Sequence, residues 1–406
     1  MFNFSTTKLY FVLLLGFIVR AIVIYLFGDT QIDKEWGAML YNLEHNQILS
    51  SRSINGVPVP NLFMPPLYAW FLFLIKFFVS DFNLFLNLTF IIQLLLSTTS
   101  IFLIFLIFLN FFDKKISLIG ATAYAFFPLN VYAVSQISSI TLQMFLINLF
   151  LLFFIRFYKD TKKINLIIFS LSSSLLILLR GEFYLFVIFS LAFLFLKKKK
   201  LIKVFLSSLF IILLISPYLY RNYNTFNVIT ITKSSGFNLL KGNNPKSKVE
   251  GVGLFGDVEG VVPEVRSKLE KLYELGPIIE HDLVKDRILL DQAIKFIKEN
   301  PKKYSSLYVQ KFTSFFFIDT NSTYPNYYSL PHIVPKLILS ITTLIGIILI
   351  FSFKITLLNY LIFFYLSNIA IFSVFFILPR YSLILLPLQL IISIEGIRIL
   401  VRKLTH

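Results

Sequence analysis

The stretch that decides how this chain is read runs from residue 28 to residue 70, GDTQIDKEWGAMLYNLEHNQILSSRSINGVPVPNLFMPPLYAW. It lies between two strongly apolar segments and is too polar, and too rich in Pro and Asn, to cross a bilayer. It opens with three carboxylates, Asp29, Asp33 and Glu35, directly after the first apolar segment. Trp36 beside them suits an interfacial anchor. Acids held at a membrane surface have a chemical use that solvated loop acids lack. The rest of the chain reads as a frame around this loop.

Composition supports that frame. The 406 residues are 57% hydrophobic and 15% charged, with a mean hydropathy of +0.78, which points to an all-α polytopic membrane protein. The net charge of +17 would suggest nucleic acid in a soluble protein. Here most Lys and Arg stand in short loops between apolar segments, so the charge reads as topology and as attraction to membrane lipids, with no nucleic-acid partner. The chain has no cysteine, which excludes disulfide and thiol chemistry.

Apolar segments of membrane-spanning character cover 8–27, 83–109, 116–134, 138–157, 164–179, 183–196, 201–219, 333–352, 355–377 and 380–400. They predict a bundle of about ten transmembrane helices. The first is read as a retained helix, since no small-residue cleavage site follows it. Arg20 lies within it, placed to snorkel or to face the bundle interior. Residues 65–78, opening on Pro65-Pro66, predict a juxtamembrane helix. Clustered basic residues close the segments at Lys114, Lys163, Lys200 and Lys354 and fill the tail from Arg398 to Lys403. The positive-inside rule puts those clusters, and both termini, in the cytoplasm. The loop 28–82 and the long stretch 220–331 then share the outer face. Three parts result: an N-terminal membrane module over 1–219, an extracytoplasmic region over 220–331 and the last membrane helices over 332–406. Within the middle part, Thr230 to Gly256 reads as loop, His281 to Asn300 has helical spacing, and Lys302 to Ile318 reads as an amphipathic aromatic helix. No internal repeat is visible.

Isolated arginines stand at outer helix ends: Arg180, Arg221 and Arg380. A guanidinium there binds phosphate in a bidentate way, and partial desolvation strengthens the pairing. Taken singly, each has an equally good explanation in ordinary lipid phosphates or a loop acid such as Glu182. Three on the side of an acidic loop favour a shared phosphate site. Sugar transfer from a lipid phosphate needs a carboxylate to accept a proton and cations to stabilise the leaving phosphate. A solvated acidic loop is the plain alternative for Asp29, Asp33 and Glu35. His281 and His332 have no second ligand at metal spacing and read as surface or helix-end residues.

Four pieces, in order, carry a family resemblance. They are Asp33-Lys34-Glu35-Trp36 with Pro65-Pro66-Leu67-Tyr68; Ser216 to Tyr223 with Gly236 to Leu239 and Gly242-Asn243-Asn244-Pro245; Asp286-Arg287 through Ala293, Phe296 and Ile297 to Glu299-Asn300-Pro301, then Lys311-Phe312; and Arg380-Tyr381 with Pro387. Together they resemble the GT-C glycosyltransferases, in particular the branch using polyprenyl-phosphate sugars, which includes protein mannosyltransferases and aminoarabinose transferases. The resemblance implies a GT-C-like bundle with juxtamembrane helices and a small extracytoplasmic portion, in a bacterial inner membrane, with the active site on the outer side. In that family the acid after the first helix is catalytic, which maps onto Asp33; a second acid is left open between Glu35, Asp29 and none, and Asp29, Tyr68, Arg180, Arg221, Arg380 and Tyr381 are read as substrate contacts. The donor would be a polyprenyl-phosphate sugar, and the acceptor a lipid, a glycan or a protein. Two positions depart from the pattern: Met64 stands where relatives have Arg, and Gln136 to Ile140 lacks an acid that relatives carry. No metal ligand set is assigned, and a divalent cation, Mg²⁺ or Mn²⁺, is left open. The rival reading is a lipid-sugar flippase, which would use the arginines without a base. A structural subunit of an envelope complex is a third.

Overall fold

The computed structural model describes residues 4–197, 200–250, 262–322, 329–352 and 356–405. Part of the Lys197–Lys200 run, the end of the expected Thr230–Gly256 loop and Lys354 lie outside those residues. The protein is an all-α polytopic membrane protein with a small β-hairpin near its N-terminus.

Helix α1 (Phe4–Phe27) is followed by α2 (Lys34–Asn46), a two-stranded antiparallel hairpin β1 (Arg52–Ile54) and β2 (Val57–Val59), and α3 (Leu67–Phe77). The hairpin turns on Asn55-Gly56, both at positive φ, which is the Asn-Gly turn whose twist matches the flanking strands. Pro66 stands at the N-cap of α3, where its missing N–H costs nothing. Next come α4 (Phe82–Phe108), α5 (Lys114–Ala125), α6 (Pro128–Tyr132), α7 (Ile140–Lys159), α8 (Lys163–Leu179), α9 (Phe183–Leu196) and α10 (Leu201–Phe226). A soluble layer comes after them, of α11 (Ser235–Gly242), α12 (Pro263–Glu274), α13 (His281–Glu299) and α14 (Pro301–Phe316). The chain closes with α15 (Leu330–Ile350), α16 (Leu357–Val374), a 3₁₀ turn over Pro379–Leu385, and α17 (Leu386–Leu404).

Among the described residues, seven helices are long and apolar enough to cross a membrane. The segment expected over 116–134 is not one straight span. It breaks after Ala125, and the two pieces meet at 58°, because Pro128 cannot continue the α5 hydrogen-bond ladder. The segments expected over 164–179 and 183–196 form helices of 17 and 14 residues, shorter than the ~20 residues a perpendicular crossing needs. The 219/220 boundary falls inside α10, which runs through Pro217 to Phe226.

Arg20 explains how the broken span is held. It is fully buried and faces the bundle interior. Its Nε donates to Ser97 Oγ on α4 at 2.7 Å, and its Nη1 donates to the Gly16 and Ala125 carbonyls at 3.1 and 2.8 Å. Ala125 ends α5, so the guanidinium supplies a donor to a carbonyl the helix break would leave unpaired, at the negative end of the helix dipole. Elsewhere small polar residues let helices approach: Ser170 on α8 and Ser207 on α10 are hydrogen-bonded at 2.6 Å.

The soluble layer has its own core, with Leu239, Leu240, Val265, Leu269, Leu272, Leu289 and Ala293 in contact. Its first helix, α11, corrects the loop expected over Thr230–Gly256. The Gly and Asn content that suggested a loop serves close packing, while Leu239 and Leu240 supply a buried face.

Candidate active site

A cavity of about 1000 Å³ opens where the membrane bundle meets the soluble layer. Its walls come from residues 33–65, the start of α7, the α8–α9 turn, α11 with the segment before it, and the stretch from Ile371 to Tyr381. Asp33, Glu35, Arg180, Arg380 and Tyr381 all line it. Asp29, Tyr68 and Arg221 are not among the lining residues.

Asp33 occupies the N-cap position of α2, but its carboxylate does not turn back to cap the helix. It is exposed to the cavity, with the positive end of the α2 dipole behind it. Glu35 stands in the first helical turn. Burial in the cavity wall and the neighbouring Asp33 raise its pKa, while Lys241, Arg52 and Arg380 act in the opposite direction. Trp36 is buried and packs edge-on against Tyr68 at 5.0 Å rather than anchoring in an interface. Tyr68 is itself fully buried, with its hydroxyl donating to Gln93 Oε1 at 3.2 Å, so it braces the wall. Asp29 is used structurally as well. Its Oδ2 accepts from the Ile137 N–H at 2.7 Å, and its own N–H donates to the Ser135 carbonyl at 3.0 Å. These two bonds fasten the acidic loop to the start of α7.

The cationic side is built around an aromatic ring. Arg180 caps the C-terminus of α8 and pairs with Glu182 at 2.9 Å. Its guanidinium lies 5.2 Å from the centre of the Tyr381 ring, and that of Arg380 lies 5.9 Å from it. Lys241 on α11 completes the group. Its Nζ lies 4.1 Å from the Phe376 ring centre, and its pKa is lowered by burial and by the like charge of Arg380, against the pull of Glu35. With Arg180 paired to Glu182, the like charges of Lys241 and Arg380 stand together in a partly desolvated wall near Glu35, a site for an anion. Arg221 takes a different course. Its Nη1 donates to the Asn61 carbonyl at 2.9 Å and to Asn222 Oδ1 at 2.8 Å, and the guanidinium sits by the Tyr218 and Phe226 rings.

Arg52, on β1, is a lining residue that sequence reasoning passed over. It pairs at 3.3 Å with Asp282 on α13. The other Asp282 oxygen accepts from the backbone N–H groups of Leu62 and Phe63 at 2.8 and 3.0 Å. This buried carboxylate therefore docks the soluble layer onto the acidic loop. Burial raises its pKa, but His281, Arg52 and the Leu62 N–H outweigh burial and hold it below the usual carboxylate range. His281, at the start of α13, is buried against Tyr273 and is not a surface residue. Asp282→Ala is expected to cost about 3–5 kcal/mol, since it leaves a largely buried guanidinium and two N–H groups without their partner. The shift in chemical denaturation of the purified protein measures this. Because the folded pKa lies below the unfolded one, the contribution is complete above the unfolded value, at about pH 4, and is lost as the pH falls through the folded value.

The cavity offers a divalent cation few protein ligands, with Asp33 and Glu35 the carboxylates nearest each other in sequence. Among the described residues no group of three or more His, Asp or Glu is placed to hold a metal ion. Of the cavity carboxylates, Glu182 is paired with Arg180, and Glu35 is coupled to three cations.

No protein-family model matches the chain, and no curated protein is detectably similar to it in sequence. Solved structures do match. The oligosaccharyltransferase of Archaeoglobus fulgidus, tethered to an acceptor peptide containing the NVT sequon, superimposes with a TM-score of 0.55 at 13% identity over 98% of this chain. The same archaeal enzyme in complex with an inhibitory peptide and a dolichol-phosphate gives 0.54 at 14% over 99%, and its apo form 0.54 at 15% over 98%. The chain has the GT-C fold. It spans about half the length of these structures, 50–51% of each. In the GT-C frame the cavity faces the junction of the bundle and the soluble layer, and the side chains just described surround that hollow.

Proposed function

We propose that the protein is a membrane glycosyltransferase that moves a sugar from a polyprenyl-phosphate carrier to a hydroxyl of a lipid, glycan or protein. One observation carries this reading: carboxylates from the loop after α1 and cations from α8, α11 and the 379–385 turn, far apart in sequence, line one cavity. The GT-C fold supports it. One of the matching archaeal structures contains a dolichol-phosphate, and another an acceptor peptide.

Asp33 takes the proton from the acceptor hydroxyl. The acceptor oxygen attacks the anomeric carbon from the face opposite the phosphate, and the bond from that carbon to the phosphate oxygen breaks. The phosphate leaves with the electron pair and gains a negative charge, which Arg380 and Lys241 stabilise. Arg180 and Tyr381 hold the donor end of the wall. A single displacement inverts the anomeric centre. The active site lies on the outer side of a bacterial inner membrane, with both termini cytoplasmic; the charge pattern of the loops supports this placement.

Cationic side chains do the work of a metal ion in this scheme. Turnover is therefore expected to be unchanged by excess EDTA and by added Mg²⁺ or Mn²⁺, read as transfer of a labelled sugar by purified protein. Loss of activity in EDTA, restored by a cation, would move the phosphate chemistry onto a metal. The reading as a whole is tested by mass spectrometry of envelope glycolipids and glycoproteins with and without the protein. A sugar lost from one species names both substrates, and glycan profiles that are identical count against transfer.

A further inference from the structure

Lys311 on α14 is fully buried and does not line the cavity. Its Nζ donates to the Gly242 carbonyl at 2.7 Å, to the Phe375 carbonyl at 2.6 Å and to Asn243 Oδ1 at 3.2 Å. Three acceptors match the three protons of an ammonium, which is what makes such a burial tolerable. Gly242 is the last residue of α11, and Phe375 is the C-cap of α16. One cation thus closes the negative ends of two helices, one from the soluble layer and one from the bundle. Burial pushes the Lys311 pKa down to about 7, and the three oxygens favour the charged form.

The two helix ends touch. A Cβ on Gly242 would lie 2.1 Å from the Phe375 carbonyl oxygen and 3.0 Å from Lys311 Nζ, so no side chain fits there. Asn243 tightens the joint, its amide donating to the Val374 carbonyl at 2.9 Å. The other end of α11 is fixed by Asp286 of α13, whose Oδ1 accepts from the Gly236 N–H at 2.7 Å. Helix α11 carries Lys241, the residue before Gly242. On the other side of the joint, Phe375 leads to Phe376, under the Lys241 ammonium, and then to Arg380. The two cations of the anion site therefore stand on two segments that Lys311 joins end to end.

We propose that Lys311 is a positioning residue for the donor-phosphate site, holding Lys241 and Arg380 at the spacing that a phosphate bridges. This rests on the phosphate reading given above. Without the joint, the like charges are free to separate and α11 to swing from the cavity wall.

The test uses the full-length purified protein in detergent, with farnesyl phosphate as the probe and calorimetric titration as the readout. Four proteins are compared: the parent, Lys241→Ala, Lys311→Met and the double variant. Lys241→Ala is expected to weaken binding about tenfold, as loss of one charge-assisted contact does. Lys311→Met is expected to weaken it nearly as much, and the double variant to bind no more weakly than about the worse single one, the non-additivity of residues that act as a unit. Losses that multiply, or unchanged binding in Lys311→Met, would make Lys311 a strut only and overturn the proposal. If Lys241→Ala itself binds like the parent, the phosphate reading fails first and takes this inference with it. Should Lys311→Met not purify as a folded protein, Asn243→Ala, which loosens the joint and keeps the lysine, must show the same non-additive loss; additivity there overturns the proposal equally.

Discussion

Replacing Asp33 by Asn is expected to lower the rate of sugar transfer by about 10²–10⁴-fold, the usual worth of a positioned general base. The substitution keeps the shape of the side chain and removes only its ability to accept a proton. Asp33 stands at the N-cap of α2 and its side chain makes no hydrogen bond to the helix, so no capping hydrogen bond is lost with the charge. The helix loses a dipole interaction worth about 0.3–1 kcal/mol. Folding and extraction should therefore resemble those of the parent while transfer of a labelled sugar disappears. Binding of the donor should persist, because the phosphate contacts lie on the other wall. Near-normal turnover in this variant removes Asp33 from the mechanism and leaves Glu35 as the cavity acid not engaged in a direct ion pair.

Arg380→Ala is expected to lower turnover by about 10²–10³-fold, comparable to the loss of one donor to a developing oxyanion. The charge it meets grows as the phosphate leaves, so the loss falls on kcat more than on KM. Arg380→Lys should recover only part of it. A lysine keeps the charge, but the planar fork that can grip two phosphate oxygens, and lie by the Tyr381 ring at 5.9 Å, is gone. Arg221→Ala serves as the comparison. Its guanidinium is used on the Asn61 carbonyl and on Asn222, so its removal should lower stability and leave the donor-concentration dependence in place. An equal kinetic loss in both arginine variants would indicate a field effect of net charge rather than a built site.

Sequence and structure agree where hydropathy or a helix end constrains a residue. Charges near the ends of apolar segments lie near the membrane surface, and the charge pattern of the loops together with the family resemblance put Asp33, Glu35, Arg180 and Arg380 on one side, where they line one hollow. Direction around a helix is not constrained in this way. Arg221, like Arg380, is an isolated arginine at the end of an apolar segment, yet its side chain turns to a loop carbonyl rather than to the cavity. Lys241 was hidden for another reason. It stands among Gly and Asn residues that resemble a loop, and only the contact of Gly242 with the Phe375 carbonyl reveals that the glycine serves close packing. Asp282 and Lys311 meet partners 220 and 69 residues away, and no local pattern encodes such pairings. Two features had a local signal that the reading of apolar segments did not use. Asn55-Gly56 is a hairpin turn, and Pro128 is a helix breaker inside an apolar segment.

Arg20 has a consequence for how the chain enters a membrane. A guanidinium at the middle of a lone apolar helix costs about 2.5–3.5 kcal/mol on insertion. The groups that satisfy it, Ser97 and the Ala125 carbonyl, are synthesised 77 and 105 residues later. The apolar residues of α1 outweigh that cost, so the lone segment can insert with its guanidinium unpaired, and the fourth and fifth helices remove the remaining cost when they pack beside it.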